Sequence, residues 1–320
     1  MPRMRAAIVG IAGTRLDETE QALFADLPPA GVILFRRNIA DRVQLAGLIA
    51  ELRTVLPEQA VLMVDQEGGR VARLGPPHWP SLPPPSDLGE IWRTDRHAAR
   101  SAARAHGAAL GAVAREAGFD VVTAPVLDVP AEGADAVIGD RAISRDPVAV
   151  GALGADVAWG IAFQGAIPVM KHVPGHGRAT VDSHLALPRV GAAARMDADL
   201  APFAANRDLP WAMTAHVVYE AWDAERPATL SKRVIAEVIR GMIGFRGILV
   251  TDDLAMGALS GPPGERAAAA LDAGCDLALY CPGDPGGNRD VLAASRVVAA
   301  DLGARLRAVP EAAPGELDDA

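Results

Sequence analysis

The chain has 320 residues, 50% of them hydrophobic, so it is globular and long enough to bury one large core. Its net charge of −9, with 31 Lys and Arg residues spread along the chain, argues against a nucleic-acid partner and favours a neutral or small-molecule ligand. Two cysteines, Cys275 and Cys281, are too few for a disulfide framework and lack the spacing of a zinc site, which indicates packing roles in a reducing compartment.

The first element in chain order is the apolar run Ala6 to Ile11, which follows the basic start MPRMR. This run is at the short limit for a signal peptide and lacks a clear small-residue cleavage site, so we interpret it as a first buried strand. No stretch of the chain approaches the ~18 consecutive apolar residues of a membrane helix. The sequence therefore predicts a cytoplasmic protein without a membrane partner.

The chain then repeats one pattern: a short apolar run, a polar or glycine-containing loop, and a longer Ala/Leu/Arg segment with helical periodicity. Eight runs are predicted as strands: Ala6 to Ile11, Gly31 to Phe35, Ala60 to Val64, Asp120 to Ala124, Ile167 to Met170, Trp211 to Thr214, Gly247 to Val250 and Asp276 to Tyr280. Parallel strands covered on both faces have such continuous apolar runs. Eight strand and helix units predict an α/β fold, a single (β/α)8 barrel of the TIM type.

A doubly wound open sheet is the alternative architecture. No break in composition divides the chain into two domains. We predict that residues 1–309 form one catalytic barrel and that the tail 310–320, which is rich in Pro, Ala and acidic residues, is disordered.

Clusters of ionisable residues follow four of the predicted strands. They are Asp65 to Arg70 after the third strand, Lys171 and His172 after the fifth, His216 after the sixth, and Asp252 and Asp253 after the seventh. Active sites of barrel enzymes lie at the carboxyl ends of the strands. We therefore expect the four clusters to surround one pocket, although each alone has a structural explanation, such as an N-cap role for Asp65 or Asp252.

The densest cluster is KHVPGHGRATVDSH, residues 171–184, which holds three His, a Lys, an Arg and an Asp around two glycines. Asp182 and His184 flank one residue, and in extended backbone such positions point the same way. The carboxylate can then fix the tautomer of the imidazole and raise its basicity, which prepares a catalytic histidine. Because the segment is rich in Gly and small residues, we expect a loop that closes over substrate during turnover.

The predicted pocket combines carboxylates, a histidine paired with a carboxylate, and the cations Arg70 and Lys171, without a nucleotide-binding glycine motif. These groups suit glycoside cleavage, in which one group protonates the leaving oxygen and an opposing carboxylate traps the oxocarbenium-like centre. The cations would hold sugar hydroxyls or an acyl group. We predict no cofactor and no metal.

Seven sequence blocks resemble glycoside hydrolase family 3, and they occur in order over nearly the whole chain. They are GVILFRRNI (31–39), DQEGGRVARL (65–74), PVLDV (125–129), VIGDRAIS (137–144), KHVPGHGRATVDSH (171–184), MTAHVVY (213–219) and VTDDLAMGAL (250–259). Within the family, the chain resembles the single-domain bacterial β-N-acetylglucosaminidases of peptidoglycan recycling. Val173 departs from the family's usual Phe, a change of packing that leaves the ionisable groups intact.

The resemblance implies a role for each matching residue. Asp252 matches the nucleophile that forms a covalent glycosyl-enzyme intermediate, and His184 matches the unusual histidine acid/base, with Asp182 as its partner. The positions that hold the non-reducing N-acetylglucosamine, or line its pocket, are matched by Asp65, Arg70, Arg141, Lys171, His172 and His216. The implied substrate is N-acetylglucosamine β-1,4-linked to 1,6-anhydro-N-acetylmuramic acid, a muropeptide fragment with or without peptide.

Several alternatives stay open. Two-domain relatives, mostly β-glucosidases, take their acid/base from a second domain, whereas we expect Asp182 and His184 to supply it here, which favours the N-acetylglucosaminidase. Phosphorolysis is a second alternative, since a neutral histidine repels phosphate less than a carboxylate does. A metal-dependent hydrolase could use His172, His176, His184 and Asp182, although Pro174 and its neighbouring glycines break any helix there. The last alternative is a non-catalytic sugar-binding barrel.

Overall fold

A computed structural model describes residues 3–133 and 137–310 of the chain. Eight parallel strands form a closed barrel, in which each strand pairs with its neighbours in chain order and the last pairs with the first. The strands are β1 (Arg5–Gly10), β2 (Pro29–Leu34), β3 (Val61–Val64), β4 (Val121–Val122), β5 (Ile167–Val173), β6 (Trp211–Thr214), β7 (Ile248–Asp253) and β8 (Leu277–Tyr280). The predicted (β/α)8 barrel is confirmed, and the open-sheet alternative is wrong.

Helices cover the outside of the barrel, so every residue of β2, β3, β5, β6 and β8 is buried. The helices are α1 (Glu18–Asp26), α2 (Arg42–Val55), α3 (Ser86–Trp92), α4 (Arg96–Glu116), α5 (Pro147–Phe163), α6 (Asp197–Ala205), α7 (Pro263–Ala273), α8 (Pro285–Ala294) and α9 (Ala300–Arg305). A π-helical segment, Val234–Met242, lies between β6 and β7. Aspartate side chains cap five of the helices by accepting a first-turn backbone N–H: Asp17, Asp41, Asp95, Asp146 and Asp284.

Short elements lie between these strands and helices. Three are 3₁₀ helices, Arg36–Asn38, Gly139–Arg141 and Ala228–Leu230, and four are short strands, an antiparallel hairpin of Gln66–Gly68 with Val71–Ala72 and a parallel pair of Arg189–Val190 with Val218–Tyr219. The hairpin turns at Gly68 and Gly69, whose φ angles of 91° and 55° are ones that glycine adopts without strain. This hairpin holds the DQEGGR motif directly after β3.

The strand ends differ from the predicted apolar runs. β5 ends at Val173 rather than at residue 170, and β7 ends at Asp253 rather than at residue 250, whereas β4 is shorter than predicted. Lys171 pairs with Met213 in the ladder between β5 and β6. A strand can continue through polar residues because the hydrogen bonds of its ladder join backbone groups only. Hydropathy describes side chains, so it does not show where such a strand ends. The sheet itself therefore positions Lys171 and His172 on β5, and Asp252 and Asp253 on β7.

No helix within residues 3–133 and 137–310 is long and apolar enough to cross a membrane. Cys275 and Cys281 are both buried free thiols, as packing roles require. Apart from Pro310, the tail predicted to be disordered lies outside the described residues.

Candidate active site

A cavity of about 260 Å³ opens at the carboxyl ends of the barrel strands. Eight of the nine predicted site residues line it: Asp65, Arg70, Arg141, Lys171, His172, Asp182, His184 and Asp252. Their positions follow from the fold, since the carboxyl ends of parallel barrel strands meet at one rim. The structure thus gathers clusters that are far apart in the sequence into one site.

His216 is placed behind this cavity rather than in its lining. Its side chain is fully buried, with Nδ1 2.7 Å from Thr229 Oγ1 and Nε2 2.9 Å from the backbone carbonyl oxygen of Asp253. Burial lowers the pKa of His216, although the nearby Asp252 opposes that shift. His216 therefore holds the backbone at the end of β7, which carries the two aspartates, from outside the cavity lining.

Asp252 and Asp253 both reach the cavity, but their surroundings differ. Burial alone would raise the pKa of Asp252, yet His172 and His216 bring it below its usual value, so the group is an anion at neutral pH. Asp253 has a raised pKa because of burial, and its Oδ1 accepts hydrogen bonds from the backbone N–H groups of Ala255 (2.9 Å) and Cys281 (3.0 Å). Asp252 is thus suited to nucleophilic attack, and Asp253 to holding the loops after β7 and β8.

The predicted contact between Asp182 and His184 is present. Asp182 Oδ1 lies 2.6 Å from His184 Nδ1 and also accepts the backbone N–H of His184 at 2.8 Å. The expected extended backbone is wrong, because the N–H groups of Leu185 and Ala186 both donate to the Asp182 carbonyl and form a turn. With Nδ1 against the carboxylate, Nε2 is the nitrogen that remains for proton transfer. We call Asp182 and His184 the dyad.

Glu67 is a buried carboxylate of the site whose role was not predicted from the sequence. Arg141 binds both of its carboxylate oxygens, at 2.8 and 2.9 Å, and Lys171 Nζ lies 2.5 Å from Oε1. Burial raises the pKa of Glu67, but the two cations outweigh burial and lower it. Its place in the DQEGG block, two residues after Asp65, was the available signal. Glu67 fixes the directions of both cations in the cavity wall.

Arg73 contacts Asp65 directly. Arg73 Nη2 lies 2.6 Å from Asp65 Oδ2, and Thr123 donates to Oδ1 at 2.6 Å. Arg70 is half exposed and binds Asp140 at 2.7 Å and the Val137 carbonyl oxygen at 2.6 Å. Sequence spacing does not indicate this contact, because only the hairpin brings Arg73 back beside Asp65.

Asp128 holds two histidines of the site and was also missed, although it lies in the PVLDV block. Its Oδ2 is 2.7 Å from His172 Nδ1, and its Oδ1 accepts the backbone N–H of His176 at 2.6 Å. The carboxyl group is fully buried, which would raise its pKa, but the nearby His172 lowers it. With Nδ1 bound to Asp128, His172 directs Nε2 away from this carboxylate.

The histidines named for a metal-dependent alternative have other partners. Nδ1 of His172 and Nδ1 of His184 each contact a carboxylate, and His176 Nε2 lies 3.0 Å from Ser183 Oγ. Within the part of the chain that the structure describes, no group of three or more His, Cys, Asp and Glu side chains is arranged to hold a metal ion.

Neutralising Glu67 is expected to destabilise the fold. In Glu67→Gln, Arg141 and Lys171 lose the carboxylate between them, and breaking a buried ion pair costs about 3–5 kcal/mol of the free energy of unfolding. Because folding lowers the pKa of Glu67, its stabilisation is present above the ordinary value of 4.5 and is lost as the pH falls through the lower, folded value. Denaturation at pH 7 and pH 3 measures this: the difference between wild type and variant is expected at pH 7 and narrows at pH 3. Equal stability at pH 7 would contradict the prediction.

Comparison with known proteins identifies the family of the chain. The model of the glycosyl hydrolase family 3 N-terminal domain matches residues 3–307. The chain belongs to glycosyl hydrolase family 3. It is therefore a glycoside hydrolase.

Similar proteins cover most of the chain. The β-hexosaminidase of Thiobacillus denitrificans is 41% identical over 282 residues, which span 86% of this chain and 77% of that protein. The β-hexosaminidase of Chromobacterium violaceum is 42% identical over 281 residues, 86% of this chain and 78% of its own. Among solved structures, NagZ from Neisseria gonorrhoeae in complex with N-trifluoroacetyl-D-glucosamine is 36% identical, with a TM-score of 0.86 over 95% of this chain and 90% of that chain.

Proposed function

We propose that this family 3 enzyme is a retaining exo-β-N-acetylglucosaminidase that releases non-reducing N-acetylglucosamine from muropeptide fragments. The observation that carries the proposal is the meeting, in one cavity, of the anionic Asp252 and the dyad of Asp182 and His184. The similarity to β-hexosaminidases, and to a NagZ in complex with N-trifluoroacetyl-D-glucosamine, supports N-acetylglucosamine as the sugar that is released. The catalytic unit is residues 1–309, and its location is the cytoplasm, where cell-wall fragments are recycled.

The reaction has two displacements at the anomeric carbon. In the first, the Asp252 carboxylate attacks that carbon while His184 Nε2 gives its proton to the departing glycosidic oxygen, and the carbon–oxygen bond breaks. In the second, the oxygen of a water molecule attacks the same carbon while His184 takes a proton from that water. The bond between the carbon and Asp252 then breaks. Asp182 stabilises the imidazolium form of His184, which is present before the first displacement and forms again in the second. Two inversions retain the anomeric configuration.

The cavity wall supplies the contacts to the sugar. Asp65, Lys171 and His172 present hydrogen-bonding groups held by Arg73, Glu67 and Asp128, respectively. Arg141 lines the same wall and is clamped by Glu67. Because each of these groups is held by a partner before substrate binds, little freedom is lost on binding. Arg70, whose guanidinium binds Asp140, would contact the sugar near the rim of the cavity.

Arg73→Ala is expected to lower kcat/KM for an N-acetylglucosaminide more than Arg70→Ala does. Loss of Arg73 removes the charged hydrogen bond to Asp65 Oδ2 and leaves only Oδ1 held by Thr123, so the carboxylate is less firmly oriented toward the sugar. A hydrogen bond to a charged group is worth roughly 1.5–3 kcal/mol, at least about tenfold in kcat/KM. Arg70 binds Asp140 and the Val137 carbonyl oxygen at the half-exposed rim, and an exposed ion pair is worth at most about 1 kcal/mol, so we expect a loss of about fivefold. Initial-rate kinetics of both variants measure this. The reverse order of losses would assign the sugar contact to Arg70 instead.

A panel of chromogenic β-glycosides tests the proposed function. Turnover of the β-N-acetylglucosaminide, with little turnover of the β-glucoside that lacks the N-acetyl group, is the expected result. A preference for the glucoside would instead identify a β-glucosidase. The natural disaccharide, digested with and without phosphate, distinguishes free N-acetylglucosamine from its 1-phosphate, and the phosphate ester would identify a phosphorylase. No turnover of any substrate would leave a sugar-binding barrel.

A further inference from the structure

The loop that carries the dyad has a fixed base and an exposed tip. At the base, Asp128 accepts the backbone N–H of His176, and the Tyr219 hydroxyl donates to the Gly175 carbonyl oxygen at 2.9 Å. At the tip, the His184 side chain is 61% exposed and Leu185 is 81% exposed. Exposed side chains contribute little packing, so the position of the tip depends on its hydrogen bonds.

The tip turns one side chain inward. Ser183, between the two dyad residues, is 2% exposed, and its Oγ lies 3.0 Å from Nε2 of the buried His176. Burial lowers the pKa of His176 to about 4, so its imidazole is neutral at neutral pH and pairs with a hydroxyl as donor or acceptor. This is a side-chain bond from the tip of the loop to its base.

The loop after β7 holds the tip from the other side. The backbone N–H groups of Gly257 and Ala258 donate to the carbonyl oxygens of His184 (3.2 Å) and Ser183 (3.1 Å). A Cβ atom on residue 257 would lie 2.8 Å from the His184 carbonyl oxygen and 3.1 Å from that of Leu185. Only glycine permits this approach without displacement of one loop. β7 ends in Asp252 and Asp253, so this contact joins the dyad to the strand that carries the nucleophile of the proposed reaction.

The same bonds extend to the sugar-binding wall. Asp128 holds both the backbone of His176 and the ring of His172, so a chain of contacts runs from Ser183 through His176 and Asp128 to His172. We call the Ser183–His176 bond, with the two bonds from Gly257 and Ala258, the latch. The latch connects the dyad to two walls of the cavity at once.

We propose that the latch sets the position of His184 over the glycosidic oxygen, and that Ser183 and Gly257 are positioning residues for the proton transfer. The inference rests on the proposed function only in making His184 the acid/base. Neither residue supplies a proton, so loss of the latch lowers the fraction of molecules with the dyad in place. The chemistry of the dyad itself is left intact.

Two single variants test the latch from its two sides. Ser183→Ala removes the inward hydroxyl, and Gly257→Ala pushes the facing loop away; Ser260→Ala, an exposed hydroxyl nearby, is the matched control. We expect kcat/KM for the natural disaccharide, a poor leaving group, to fall roughly five- to thirty-fold in both variants, the factor for losing one buried hydrogen bond. The nitrophenyl glycoside needs little protonation, so its kcat/KM should fall much less.

Amide hydrogen exchange measures the stability of the latch independently of enzyme activity. The amides of Gly257 and Ala258 should exchange faster in Ser183→Ala than in wild type or in the Ser260→Ala control, while the amides of the barrel strands stay protected. Unchanged exchange at these two amides would overturn the latch, as would equal losses on both substrates where His184→Ala does distinguish them. If His184→Ala itself shows no dependence on the leaving group, the acid/base assignment fails, and the exchange experiment still decides whether the latch exists.

Discussion

Asp252→Asn is expected to abolish turnover while the fold stays intact. The amide is close to the carboxylate in size, and its oxygen can still accept the N–H of Asp253, which donates to Asp252 Oδ1 at 2.8 Å. It cannot act as an anionic nucleophile, so no glycosyl-enzyme forms. Loss of a covalent nucleophile costs several orders of magnitude, about 10⁴-fold or more in kcat.

The matched control is Asp253→Asn. Its amide oxygen can keep the hydrogen bonds from Ala255 and Cys281, and this residue has no covalent role in the proposed reaction. Measurable activity is expected in this variant, with circular dichroism and thermal unfolding showing that both proteins are folded. Near-wild-type turnover by Asp252→Asn would remove it as the nucleophile, and loss of activity only in Asp253→Asn would transfer the role to its neighbour.

His184→Ala is expected to separate substrates by their leaving groups. A natural sugar aglycone is a poor leaving group and needs the proton, whereas a nitrophenolate departs with little help. General-acid assistance is worth about 10²–10⁴-fold, so the disaccharide should lose roughly that factor in kcat/KM and the activated glycoside much less. Hydrolysis of the glycosyl-enzyme lacks its general base in this variant. The intermediate on Asp252 should therefore accumulate and be detectable by mass spectrometry of the intact protein.

Asp182→Ala should show a weaker form of the same pattern. The imidazole remains, but without the 2.6 Å contact to the carboxylate it is less basic and poorly oriented. If His184→Ala slowed both substrates equally and no intermediate accumulated, the histidine would be a binding or structural residue. The proton donor would then lie elsewhere in the barrel.

The barrel was predictable because buried parallel strands have a strong sequence signal. Both faces of each strand are covered, so apolar residues run continuously and polar residues concentrate where the strands end. The strand ends were less predictable. Lys171 belongs to the ladder of β5, and Asp120 lies just outside β4, where Arg53 binds it at 2.5 Å.

The dyad shows how a correct contact can follow from a wrong local structure. A spacing of two residues brings a carboxylate to an imidazole in extended backbone, but also in a turn whose first side chain accepts the N–H two residues on. Asp182 and His184 take the second form. Sequence spacing limits the distance between two side chains, whereas the hydrogen bonds around them select the backbone conformation.

The sequence by itself determined the (β/α)8 architecture and which ionisable clusters lie at the rim, because both follow from the order of apolar runs and polar ends along one chain. Only the tertiary structure decided the partners: Arg141 with Glu67, Arg73 with Asp65, and His216 with the backbone of Asp253. Ion pairs and hydrogen bonds depend on distances in space. In a closed barrel, residues far apart in sequence meet at the same rim, so the sequence indicates which groups are present there, and the fold determines which of them touch.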